Sequence, residues 1–144
     1  MSAKIFPTAQ DAENAFYQAL ERCDLDAMMA VWSEDDDIVC VHPAGQRLAG
    51  QEQVRDVWRQ MFASGPNMRV QIAQQVVIAG MMLEVHSVNE SITVAGEQRP
   101  RPPMVATNVY LRTAAGWRMI VHHASPAQAQ VAADPAPAEP KILH

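Results

Sequence analysis

The second half of the chain constrains the fold most. Four strand-length runs, at 68–79, 82–94, 104–113 and 117–125, are separated by Gly80, by Gly96 with a Pro-rich loop, and by Ala114-Ala115-Gly116. Apolar and β-branched runs bounded by such turn residues read as strands, and connections this short join antiparallel neighbours. The run from Met104 places Met104, Ala106 and Tyr110 on one face and Val105, Val109 and Leu111 on the other. Because side chains alternate across a strand, both faces of this sheet need cover. The expectation is helices on one face and a partner subunit on the other.

The first half supplies the helices. Ala12, Ala15, Phe16, Ala19, Leu20 and Cys23 recur at helical spacing, with Thr8 as N-cap and Asp11 three residues on. Asp24 can cap a second helix carrying Leu25, Met28, Met29 and Trp32, which the acidic run Glu34-Asp35-Asp36-Asp37 interrupts as a solvated turn. A short apolar strand over 38–42 then meets the turn residues Pro43-Ala44-Gly45-Gln46, which reverse it into Arg47-Leu48-Ala49 as a hairpin. After Gly50, the residues Val54, Val57, Trp58, Met61 and Phe62 form one face of a third helix, stopped at Gly65-Pro66.

Composition limits the functions available. A chain of 144 residues, 49% of them hydrophobic, can bury one core without metals or disulfides. A net charge of −5 and eleven scattered Lys and Arg residues give no basic face for phosphates, so nucleic acid is not expected as a partner. The start of the chain, Met1 to Pro7, lacks the pattern of a secretory signal and no later stretch is apolar enough for a membrane span, so a soluble, cytoplasmic protein is expected. Cys23 and Cys40 lack zinc-ligand spacing and read as two buried thiols in a reducing compartment. The Arg99-Pro100-Arg101-Pro102-Pro103 segment reads as a stiff exposed connection, with a polyproline ligand as the alternative. Residues 1–125 are expected to form the domain, and the Ala- and Pro-rich stretch 126–144 a loosely ordered tail.

Certain segments, in this order, carry a family resemblance: Phe16 through Asp24-Leu25-Asp26-Ala27-Met28, Val31-Trp32-Ser33-Glu34-Asp35, and Val41-His42-Pro43-Ala44-Gly45 followed by Gly50, Val54 and Trp58. Asn108-Val109-Tyr110-Leu111-Arg112 and Gly116-Trp117-Arg118-Met119 complete it. Over residues 8–125 the chain resembles the nuclear transport factor 2 superfamily, specifically its SnoaL-like and ketosteroid isomerase-like branch. The resemblance implies an α+β, cystatin-like cone of three N-terminal helices packed on a curved, mostly antiparallel sheet. It also implies a conical cavity for a small apolar molecule, and a homodimer joined through the sheet. The same shell serves enzymes and non-catalytic binding modules, so the fold does not decide the function.

Carried over residue by residue, the resemblance puts His42, followed by Pro43, where the isomerases hold their proton-shuttling carboxylate. A histidine there accepts or donates a proton near neutrality. The oxyanion-binding acid falls on Asn108, whose amide can donate a hydrogen bond or merely satisfy neighbouring backbone. The oxyanion-binding tyrosine aligns with Phe16, while Tyr17 points off the apolar stripe, a departure that argues against steroid isomerase activity. Strand alternation puts Val121, His123 and Ser125 on the concave side, so His123 is expected to face His42. It groups Glu90 with His86 and Val88, which if inward would set the Glu90 carboxylate near the histidines to orient one of them, and Ser87 with Asn89, and leaves open which set faces inward. Trp32, Trp58, Phe62 and Tyr110 read as apolar wall or as ordinary core. His, His and Glu can ligate a metal, but no HxH or HExxH spacing is present and neither metal nor cofactor is expected.

Three functions compete on this reading. The first is a SnoaL-like proton-transfer enzyme, of isomerase, cyclase or dehydratase type, acting on a small apolar carbonyl or aromatic metabolite. The second is a ligand-binding dimer without chemistry, and the third an assembly module.

Overall fold

The computed structural model describes residues 4–65 and 67–127. Pro66, most of the tail expected over 126–144, and the first three residues of the segment read for a signal lie outside the described residues.

Helix α1 (Ala9–Arg22) starts where a capping pair fixes it. The Thr8 Oγ1 accepts from the Asp11 backbone N–H at 3.0 Å and donates to the Asp11 carboxylate at 2.9 Å, satisfying a donor that the first turn leaves unpaired. It ends at Cys23, in the left-handed region at φ 51°, whose N–H closes back on the helix. Asp24 immediately caps α2 (Leu25–Val31) by accepting from the Ala27 N–H. Strands β1 (Val39–Val41) and β2 (Arg47–Ala49) form the expected hairpin, and Gly50 leads into α3 (Gln51–Ala63).

The long strands are β3 (Met68–Ala79), β4 (Leu83–Val94), β5 (Met104–Thr113) and β6 (Gly116–Pro126). They pair antiparallel in sequence order, and β1 closes the sheet by pairing parallel with β6, giving the order β2-β1-β6-β5-β4-β3. Strand β6 takes in Pro126, so the sheet runs slightly past the expected domain end, and Ala127 still donates its N–H to the Pro103 carbonyl. At Gly116 (φ 92°) the Phe6 backbone comes so close that an added Cβ would stand 2.7 Å from its carbonyl oxygen. Only glycine serves both demands there.

Two β-bulges reshape the sheet. In β3, Gln74 and Gln75 together oppose Val88, with Gln74 at φ 52°. In β6, Ile120 is an extra residue between the pairs Val109↔Val121 and Tyr110↔Met119. A bulge of this kind reverses which face the following residues occupy.

The helices cover one face, and the core lies between, built on Phe16, Met28, Trp32, Trp58, Tyr110 and Met119, all nearly inaccessible. Burying each such aromatic side chain stabilises the fold by roughly 2–3 kcal/mol. Cys40 is buried in this core, whereas Cys23, at the α1 C-cap, is only partly covered. The opposite, convex face carries exposed Val76, Ile78, Leu83 and Val105. No described helix is long and apolar enough to cross a membrane.

Candidate functional site

A cavity of about 590 Å³ opens between α3, the β1–β2 turn and the concave face of the sheet. Most of its wall is apolar: Leu20, Trp58, Met61, Met68, Ile92, Val94, Met104 and Ala124. Against this background stand His42, Glu90, His122, Ser64 and Arg101. An apolar pocket with a few convergent polar groups is the usual form of a small-molecule site. Two of these groups are already occupied. Arg101 is held by Glu97 through two bonds of 2.8 and 2.9 Å, and the Ser64 hydroxyl donates to the Met61 carbonyl.

His42 sits at the end of β1, where Pro43 turns the chain away, and its ring packs on Trp58 with centroids 4.6 Å apart. Its Nε2 is buried and has no hydrogen-bond partner. Burial lowers its pKa from the ordinary histidine value, so the ring is neutral. The His122 ring lies 6.3 Å from it, wedged between Phe16 and Trp58. Burial, reinforced by His42 and His123, pushes His122 down to about 3.

Behind the cavity wall runs a chain of hydrogen bonds. His122 Nδ1 meets Asn108 Oδ1 at 2.6 Å, Asn108 Nδ2 donates to the Tyr17 hydroxyl at 2.9 Å, and Tyr17 donates to Glu90 at 2.6 Å. Burial raises the Glu90 pKa, with nearby Glu13 acting in the same direction and the Tyr17 bond against it. Burial first, and then Glu90, raise the Tyr17 hydroxyl, which remains a neutral donor.

A second cluster adjoins the first around Glu13, on the inward face of α1. Its carboxylate accepts from Tyr110 at 2.9 Å, from Gln75 at 2.6 Å and, more distantly, from Asn108 at 3.4 Å. His86 lies between Glu13 (2.7 Å) and Glu84 (2.6 Å), one carboxylate on each ring nitrogen. The bulge at Gln74-Gln75 delivers the Gln75 amide to this cluster. Among the described residues no group of three His, Cys, Asp or Glu is arranged to hold a metal ion.

Comparison with known proteins fits this fold. The model of the SnoaL-like domain matches residues 10–129. The chain belongs to the SnoaL-like family. A Thiobacillus denitrificans protein, provisionally assigned as a calcium/calmodulin-dependent protein kinase type II association domain, is 44% identical, with 86% of this chain and 98% of that one covered at a TM-score of 0.77. A candidate dehydratase of the NTF2-like family from Streptomyces avermitilis is 29% identical, covering 82% and 92% at 0.75. An NTF2-like protein of unknown function from Pseudomonas putida is 20% identical, covering 85% and 86% at 0.74, a likeness of fold alone. The curated proteins yielded no match.

In this SnoaL-like protein the structure brings together some of the residues expected from sequence and separates others. His42, Trp58 and Glu90 lie on the cavity wall, and His86, Val88 and Glu90 form the buried set of β4. His123 does not face His42. It is exposed, and His122 is the inward histidine, because the Ile120 bulge reverses the alternation beyond Met119. Asn108 is inward but is not in the wall, its amide being engaged by His122, Tyr17 and Glu13. Phe16, Trp32, Phe62 and Tyr110 are core rather than cavity wall.

Tyr17 does not point away from the sheet as the apolar stripe implied. It is buried with Phe16, and its hydroxyl reaches Glu90. Its partner is also not what the sequence suggested for Glu90, which bonds Tyr17 rather than a histidine. Reading the inward stripe of α1 by hydrophobicity alone misses Glu13 and Tyr17. The available signal was positional, since Glu13 stands four residues after buried Ala9 and four before Tyr17.

Proposed function

We propose that the cavity binds a small, largely apolar molecule and that His42 moves a proton on it, in a reaction of isomerase, cyclase or dehydratase type. The observation that carries this reading is the buried, unpartnered Nε2 of His42 in the wall of an apolar cavity. A sealed polar atom without a partner costs about 1–3 kcal/mol, and a ligand towards which the ring turns to complete it recovers that cost. A neutral imidazole held on Trp58 is a suitable base, because the desolvation that strips its proton also strengthens any interaction it makes with a bound acid. The candidate-dehydratase description of the Streptomyces relative is compatible with this chemistry.

The test is proton exchange. Incubated in D2O with a panel of small aryl ketones bearing acidic α-protons, the protein should incorporate deuterium at the α-carbon, followed by NMR. His42→Ala should lower that rate by about 10²-fold or more. Equal rates in the two proteins would remove His42 from the chemistry, and no exchange across the panel with the native protein would remove α-proton abstraction.

A second reading, an assembly module that pairs as a homodimer, draws on a different observation. The convex face carries exposed Val76, Ile78, Leu83 and Val105 beside half-buried Val85, Val109 and Leu111. The Thiobacillus relative is described as an association domain. The two readings are compatible, since cavity and convex face lie on opposite sides of one sheet.

A further inference from the structure

We infer that the cavity recognises its ligand through a hydroxyl group, with His122 Nε2 as a fixed hydrogen-bond acceptor set by the Asn108–Tyr17–Glu90 chain. This rests on the proposal that the cavity holds a small apolar molecule, and adds the polar group that molecule must carry.

The argument starts from the Asn108 amide, whose two ends differ in what surrounds them. Its Nδ2 stands 2.9 Å from the Tyr17 hydroxyl and 3.4 Å from a Glu13 carboxylate oxygen. Turned over, the amide would set its oxygen against that carboxylate, which accepts only. The Tyr17 hydrogen is committed to Glu90 at 2.6 Å, so the tyrosine oxygen is free to accept from Asn108. Oδ1 therefore faces His122 as an acceptor, and the 2.6 Å contact requires the hydrogen on His122 Nδ1.

A neutral imidazole protonated at Nδ1 has a lone pair at Nε2. No residue of the described structure takes that atom, and it is not among the sealed polar atoms without partners, so it looks into the cavity that His122 lines. The neighbouring Glu90 also presents a carboxylate to this space. His42 Nε2, by contrast, is sealed within the wall and has no partner. The cationic group of the wall, Arg101, is already bonded twice to Glu97.

A hydroxyl meets the demand of His122, donating to its Nε2 lone pair. A carbonyl alone leaves the His122 lone pair unmet, and a carboxylate is set against it and Glu90 together.

Three naphthalenes of matched shape test this. By calorimetry near neutral pH, 2-naphthol should bind about tenfold or more tighter than 2-methoxynaphthalene, with 2-naphthoate weakest. In Asn108→Leu the preference for the hydroxyl should fall below about threefold while 2-methoxynaphthalene binding persists. Independently of any ligand, nitrogen-15 NMR of the native protein should show the His122 hydrogen on Nδ1. Equal binding of the naphthol and its ether, tighter binding of the naphthoate, or a hydrogen on His122 Nε2 would each overturn the inference. If none of the three binds, the cavity reading falls and this inference with it, whereas equal binding defeats the hydroxyl requirement alone.

Discussion

At the scale of single residues, the cavity wall places opposing titrations side by side. His122 and His42 have folded pKa values below the ordinary 6.5, His122 down to about 3. Folding therefore binds fewer protons than unfolding there, and the stability these groups allow is present above 6.5 and lost as pH falls towards the folded values. Glu90 has the opposite sign. Its folded pKa lies above 4.5, so its contribution is present below 4.5 and lost as pH rises through the folded value. Urea unfolding followed from about pH 7 to about pH 5 should show stability falling with acid. The fall should be shallower in His122→Asn and steeper in Glu90→Gln. Slopes unchanged in both variants would mean that neither group titrates with folding. The sequence made His42 legible because Pro43 follows it at a strand end. It did not make legible the bonds of Glu90, since those depend on Tyr17 and Asn108, 73 residues back and 18 ahead in the chain.

Elements set which of these residues meet. Helix starts were legible because Thr8 and Asp24 announce their caps, and the strand ends because glycines and short connections mark them. The inward phase of β6 was not legible, because alternation holds only along an uninterrupted ladder and the Ile120 bulge leaves no composition signal. Backbone strain also resides in connections. Ala44, in the turn between β1 and β2, has φ 57°, a conformation that costs a residue with a Cβ roughly 1 kcal/mol. Ala44→Gly should therefore raise stability by no more than about 0.5 kcal/mol, measured by urea unfolding, after the greater freedom of the unfolded glycine is subtracted. A loss of stability would show that the turn is held by contacts of the Ala44 methyl.

For the whole molecule, the expectation that one sheet face packs on helices is met, and the other face is where association would occur. Exposed Ile78 and Leu83 lie on that convex face near the β3–β4 turn. If copies pair through it, light scattering after size exclusion should give twice the chain mass at micromolar concentration, and Ile78→Lys with Leu83→Lys should give the single-chain mass with the helical and sheet content intact. A native monomer at all concentrations would end the dimer proposal. The cavity wall also mixes two mechanical characters. Met61, Met68 and Met104 are unbranched, polarisable side chains that reshape at little cost, while His122 and Glu90 are tied down by the hydrogen bonds that run between them through Asn108 and Tyr17. Such a wall fixes the polar group of its guest and leaves the hydrocarbon part loosely specified, so a series of compounds sharing a polar head and differing in their hydrocarbon tails would be taken with nearly equal ease.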